Sequence, residues 1–166
     1  GFADRVLRDS PASAALLPPT LQRMLVRDIV TQLRENGRLT HFANIAGTSG
    51  FVDQVIAFLS ELKRGEIWPE DFERIVTADR PHPRDVDLAA IYHAYQQHLH
   101  ELDLYDSEGR FWSARDQLSQ GHWGAFAELS FVVVDGFTDF TRTQYEILHL
   151  LAERVDEMSL TLPLDD

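Results

Sequence analysis

A mainly α-helical bundle followed by a small α/β piece, a strand–helix–strand of a parallel sheet, is the fold class this sequence predicts. Three observations predict it. Apolar residues recur at helical spacing through most of residues 1–125, the period that one buried helix face imposes. The texture then changes to a continuous apolar run, Phe131-Val132-Val133-Val134, which reads as a strand covered on both faces. A second strand pattern, "MSLTLPL" at 158–164, follows one helix later. Two strands joined by one helix in so short a span form a parallel unit with a right-handed crossover.

Taken in order, the first helical signal is Phe2, Val6 and Leu7. Pro18-Pro19-Thr20 opens a second helix over 18–36, because proline fits the first turn of a helix but not its interior. Leu21, Leu25, Ile29 and Leu33 are expected on its buried face, and Asn36-Gly37 ends it. "AGTSG" (46–50) reads as a loop. Phe51, Val55, Ile56, Leu59 and Leu62 form the next amphipathic stripe, stopped at Gly65. "WPEDFERIV" is a short helix with Pro69 at its start and acids in its first turn, as the helix dipole favours. After the break "RPHPRD", residues 85–103 form a long helix with Leu88, Ile91, Tyr92, Tyr95, Leu99 and Leu102 inward. Another helix is expected over 106–119, a strand over 129–135, and a helix over 141–154 with Ile147, Leu148, Leu151 and Val155 on one side. The expected division is a helical part, 1–125, and a strand–helix–strand part, 126–166.

The chain has 166 residues, 44% of them hydrophobic, enough to bury an ordinary core. No apolar run reaches the ~18 residues a membrane helix needs. There is no cysteine, so no disulfide or thiolate metal site forms within it. Residues 1–17 lack the basic-then-apolar order of a signal peptide. These features point to the cytoplasm. The net charge of −12 argues against a free-standing nucleic-acid binder. The average hides a gradient, since residues 1–38 carry six Arg against four acids, a balance of +2. Arg23, Arg27 and Arg34 fall within ~40° of one another at about 100° per residue and are candidate phosphate contacts, against the plainer reading of a solvated helix face. The chain starts at Gly1 inside a helical pattern and stops just after a strand pattern, as a segment of a longer protein would.

The strand at 131–134 runs into Asp135, a position where nucleotide-hydrolysing enzymes hold magnesium. "VDGFTDFTRTQY" (134–145) resembles the Walker B region of UvrD-like superfamily 1 helicases. Val134, Asp135, Phe137, Asp139, Thr141, Gln144 and Tyr145 stand where that pattern places them. Gly136 replaces the glutamate that orients the attacking water, and Thr138 replaces a glutamine. This degenerate form is similar to the helicase-like region of AddB/RexB-type subunits of bacterial ATP-dependent helicase–nucleases. "GFADRVLRD", "SGFVDQVIAFLSELKRGEIWPEDF" and "DLAAIYHAYQQHLHELDLYD" resemble successive elements of the same region.

The resemblance implies that the helical part is a 1B-like subdomain inserted into a RecA-like domain 1A. Residues 1–10 would lead out of 1A, and 126–166 would return to it. It further implies DNA and an AddA-like helicase–nuclease subunit as partners. No catalytic residue or cofactor is assigned within the segment. Mg-ATP, if bound, belongs to the full-length protein, whose phosphate-cradling glycine loop would lie upstream; such a loop upstream and a nuclease motif with four cysteines far downstream would settle the family. Asp135, Gly136, Asp139 and Gln144 are the degenerate Walker B residues. The plainer alternative for Asp135 is a strand-end or turn cap, with Thr141 or Asp139 capping the following helix.

Other clusters carry less. His93, His98 and His100 lack the i, i+4 spacing of a helical metal site, and no metal ligands are assigned. Asp103, Asp106 and Glu108 read as an acidic helix-terminal turn rather than a nuclease cluster. Trp68, Trp112 and Trp123 are expected to pack rather than stack on bases. The competing reading of the whole chain is a helical protein–protein interaction domain without a DNA role.

Overall fold

A computed structural model describes residues 1–8, 15–78 and 80–161. Among these, seven α-helices and two parallel two-stranded sheets form, the helical bundle plus small α/β piece that the patterning predicts. The chain divides into two compact units, one of residues 14–107 and one of 1–13 with 108–166.

The unit 14–107 holds β1 (Ala15–Leu16), α2 (Pro19–Glu35), α3 (Ser49–Arg64), α4 (Pro69–Thr77), α5 (Pro83–Glu101) and β2 (Leu104–Tyr105). Each boundary has a local cause. Proline occupies the first turn of α2, α4 and α5, where its missing N–H costs nothing. The Thr48 hydroxyl accepts from the Phe51 N–H and caps α3, so that helix begins inside the expected loop 46–50. At the end of α2, Gly37 takes φ +67° and the Arg38 N–H closes onto the Leu33 carbonyl at 2.8 Å. The core packs α2, α3 and α5 through Val26, Ile29, Val30, Leu33, Val52, Val55, Leu59, Ile91, Tyr92, Tyr95 and Leu99.

Two expected stripes are displaced. On α2 the buried face is Val26, Ile29, Val30 and Leu33; Leu21 is 50% exposed and Leu25 only partly buried. The α2 face turns because Gln22 points inward, donating to the Tyr95 hydroxyl of α5. Leu102, expected inward, lies just past α5 and is 57% exposed, because the helix has ended at Glu101.

The β1–β2 pair was not expected from the sequence. Ala15 pairs with Leu104 and Leu16 with Tyr105, in parallel, so the chain enters and leaves this unit side by side.

The other unit holds α1 (Phe2–Arg8), a 3-10 turn (Gly124–Phe126), β3 (Phe131–Val134), α7 (Arg142–Ala152) and β4 (Glu157–Leu160), with α6 (Ser107–Ser119) starting at the boundary. β3 and β4 are parallel, from Phe131 opposite Glu157 to Val134 opposite Leu160. The expected second strand extends to 164; residues 162–164 lie outside the described ones, as do 9 and 10 of the lead-out segment. Phe2 packs on Phe126 with ring centroids 4.9 Å apart, and Arg110 pairs with Asp4 at 3.1 Å. These contacts hold α1 to the 3-10 turn and to α6, and Arg115 of α6 reaches Glu146 of α7 at 2.9 Å.

β3 is not buried on both faces. Phe131 is 48% and Val133 56% exposed. A two-stranded sheet offers too little cover for a run of four apolar residues.

Candidate functional site

The turn leaving β3 gathers the four Walker B-like positions in the strand–helix–strand unit. Val134 is buried and Asp135 exposed. The Asp135 carboxylate accepts a hydrogen bond from the Thr161 hydroxyl, just beyond β4. Gly136 follows with φ +78°, a conformation glycine adopts without the cost an L side chain meets. Phe137 and Phe140 stack at 5.1 Å. Asp139 is exposed and does not cap α7. Thr141 does: the Gln144 N–H donates to its hydroxyl at 3.3 Å, and the Thr141 N–H donates to the Gln144 side-chain oxygen at 3.0 Å. This reciprocal capping box satisfies two N–H groups that the helix start leaves open. Beside the turn lies a groove of about 640 Å³, walled by Phe131, Val133, Phe137, Phe140 and Leu148, with Asp135 and Gln144 its polar members.

The three candidate arginines lie on α2, in the other unit. They share a helix face but not an environment. Arg23 forms an ion pair with Asp53 of α3. Arg34 leans on the 46–50 segment, where a Cβ built on Gly47 would lie 3.6 Å from its Nη1. Arg27 is exposed. The cationic stripe is therefore partly engaged by the protein itself.

The polar groups that the structure buries most deeply were not candidates from the sequence. Lys63 and Asp106 are 1% and 4% exposed. The Lys63 ammonium donates to both Asp106 oxygens at 2.8 Å and to Gln96 at 3.3 Å. The Tyr95 hydroxyl donates to Asp106 at 2.9 Å and accepts from Gln22 at 2.9 Å. Burial pushes the Tyr95 phenol well above its ordinary range, and the Asp106 charge adds to this. Tyr92 is raised by the same two causes, its hydroxyl donating to the Ile67 carbonyl at 2.8 Å.

Asp87, 1% exposed, takes the backbone N–H groups of Thr40, His41 and Phe42 at 2.9–3.1 Å. It ties the 40–42 loop to α5. The signal for both sites was present, as Lys63 follows Val55 and Leu59 at four-residue steps and Asp87 precedes Ile91 and Tyr95 likewise. A charge on an apolar stripe marks a paired buried group.

In the strand–helix–strand unit, Arg115 of α6 reaches Glu146 of α7 at 2.9 Å, and Arg142 reaches it at 3.2 Å. Burial works against the charge, but these two arginines hold the Glu146 carboxyl below its ordinary value. Trp112 and Trp123 are buried, the latter under the Arg154 guanidinium, while Trp68 is 41% exposed. Asp106, read as part of an acidic turn, is the buried partner of Lys63. Among the described residues no group of three or more His, Cys, Asp or Glu is placed to hold a metal ion, and no helix is long and apolar enough to cross a membrane.

Comparison with known proteins bears on the β3 turn and the helices alike. The B-type subunit of the ATP-dependent helicase/deoxyribonuclease of Moorella thermoacetica is 31% identical over 154 residues, covering 86% of this chain and 12% of that protein. The protein of the same name from Clostridium novyi is 27% identical over 145 residues, 86% of this chain and 12% of its own length. That of Lachnoclostridium phytofermentans is 25% identical over 170 residues, covering 99% of this chain and 14% of itself. The chain thus spans about an eighth of the relatives it matches. The family model described as "ADDB, N-terminal" matches residues 2–166, and the chain belongs to that family.

Proposed function

We propose that this chain is the non-catalytic, helicase-like part of a DNA helicase–exonuclease subunit that acts in double-strand break processing and recombinational repair. It positions DNA and a partner motor subunit, an AddA-like helicase–nuclease, in the cytoplasm. The observation that carries this reading is the turn after β3. It keeps the strand–aspartate–turn–helix order of a nucleotide-hydrolysing motor, while Gly136, at φ +78°, stands where the water-orienting glutamate would be. Phosphoryl transfer needs a positioned water and fixed positive charge on the phosphates. These residues supply no carboxylate at the position immediately after Asp135 and no glycine–lysine phosphate loop. Binding and positioning are what remains for such a segment to do. Arg27 and Arg34 on α2, with Arg23 behind its ion pair, offer the face for phosphate.

The test is made in the reconstituted two-subunit complex. Replacing Arg23, Arg27 and Arg34 with Gln is expected to weaken DNA-end binding and to leave the ATPase of the partner subunit unchanged in the absence of DNA. Equal DNA binding by parent and variant at every salt concentration would rule out this face. A second reading, a helical protein–protein interaction domain without a DNA role, is favoured by the net charge of −12 and by the Arg23–Asp53 pair; that result would make it the better of the two.

A further inference from the structure

Asp135 is the one residue of the β3 turn that a nucleotide-bound magnesium would use, and its surroundings are those of a structural group. Thr161 sits at the end of the β3–β4 ladder, its N–H donating to the Val134 carbonyl at 2.9 Å. Its hydroxyl is also 3.5 Å from that carbonyl, but the single hydroxyl proton has the carboxylate as its closer acceptor. One threonine therefore closes both strand ends, through its backbone on Val134 and through its side chain on Asp135.

The next position supports the same conclusion. Gly136 has open space where a Cβ would lie, yet its φ is +78°. The glycine is retained for its backbone conformation and not for want of room. Restoring a carboxylate there would need the turn itself to change. Downstream, Gln144 is committed to the Thr141 capping box. Magnesium demands near-octahedral oxygen coordination and is usually bound through one or two carboxylates with substrate phosphates. Here the Asp135 carboxylate is turned onto the Thr161 hydroxyl, Gly136 supplies no carboxylate beside it, and Asp139, the other acid of the turn, is exposed four residues on. With Asp135 held by Thr161 and no acid at the next position, the residues present do not fit the group as a paired-carboxylate site would.

We propose that Asp135 and Thr161 form a clasp across the ends of the two parallel strands, and that Asp135 is not a ligand of a nucleotide-bound cation in the full-length protein. Thr161 is then the positioning residue of this turn. The proposal stands independently of the DNA-positioning reading, since none of its tests involves DNA.

The first arm is a double-mutant cycle on this chain by urea unfolding, with Asp135→Asn, Thr161→Val and both. Each single variant is expected to lower the folding equilibrium constant about fivefold. The double variant should lose no more than about twofold beyond either single, because both changes remove one interaction. Full additivity would overturn the clasp. The second arm adds Mn²⁺ to the parent chain and follows the amide signals of residues 134–139 by NMR. No broadening centred on Asp135 is expected at 1:1 stoichiometry; broadening that disappears in Asp135→Asn would overturn the proposal. The third arm measures Mg-ATP binding to the full-length protein. Asp135→Asn should leave the dissociation constant within about twofold of the parent, and a tenfold weakening would reinstate Asp135 as a ligand. Thr161→Val, which frees the carboxylate without removing it, controls for any loss of fold in the Asp135 variant.

Discussion

Asp87 shows how one side chain decides a loop. Its carboxylate receives three backbone N–H groups and is 1% exposed. Removing it leaves those donors buried without a partner, which costs more than the bonds themselves are worth. Asp87→Ala is expected to destabilise by about 3 kcal/mol and Asp87→Asn, which keeps one acceptor oxygen, by roughly half that. Urea unfolding of both variants checks it, and a loss under ~1 kcal/mol for the alanine would mean that the loop finds other partners. Tyr92 and Tyr95 give a pH dependence. Both phenols are raised above the ordinary value of 10.0, first by burial and then by the Asp106 charge. In the unfolded chain they ionise near their ordinary value; in the folded chain they stay protonated. Their contribution is therefore complete below pH 10.0 and is lost as pH rises beyond it. Stability measured by denaturant between pH 8 and 11.5 should be level at first and fall above about 10. A level curve throughout would contradict the burial of these hydroxyls.

At the scale of elements, the buried pair Lys63–Asp106 joins the end of α3 to the residue that follows β2. Tyr95 and Gln22 carry the same network to α5 and α2. Lys63→Met alone strands a buried carboxylate and is expected to cost about 3–5 kcal/mol. The double variant Lys63→Met with Asp106→Leu should recover a good part of that, because the desolvated charges leave together. Thermal unfolding of the parent, Lys63→Met, Asp106→Leu and the double variant measures the coupling; a double variant as unstable as the sum of the singles would deny that the two charges form one unit. The same network explains which parts of the fold were legible. Helix starts and stops were, because Pro18-Pro19, Asn36-Gly37 and Gly65 act through local backbone chemistry. The buried face of α2 was not. Leu21 and Leu25 fit a helical stripe as well as Val26 and Val30 do, and the choice was made by Gln22 turning inward to Tyr95, seventy-three positions away. β3 was legible as a strand and misleading as a buried one, since its apolar run is written for more cover than two strands supply. At the candidate site the turn and the capping box could be read from "VDGFTDFTRTQ". The Asp135–Thr161 bond could not, because it depends on the register of two strands.

The molecule as a whole sets its charge against the face proposed for DNA. The net charge is −12, while α2 presents Arg23, Arg27 and Arg34. Of these, Arg23 is already paired with Asp53, an exposed ion pair of a kind that contributes at most about 1 kcal/mol and gives way to a stronger anion. Two readily available cations imply that log K falls with log salt at a slope of roughly −2 on duplex DNA. Releasing Arg23 would steepen it toward about −3. The acidic remainder repels the duplex over a Debye length, ~8–10 Å at physiological ionic strength. Affinity of the chain alone should therefore lie near the weak end of non-specific binding, a dissociation constant of about 100 µM. Asp53→Asn frees Arg23 and removes one negative charge, so it is expected to tighten binding and steepen the slope together. The triple change of Arg23, Arg27 and Arg34 to Gln should flatten the slope with little loss of stability, because the buried stripe of α2 is Val26, Ile29, Val30 and Leu33. Fluorescence anisotropy on a labelled duplex at 20–200 mM salt separates these outcomes. If Asp53→Asn left both affinity and slope where they were, the Arg23 side of α2 would not meet phosphate, and DNA contact would have to be sought on another surface.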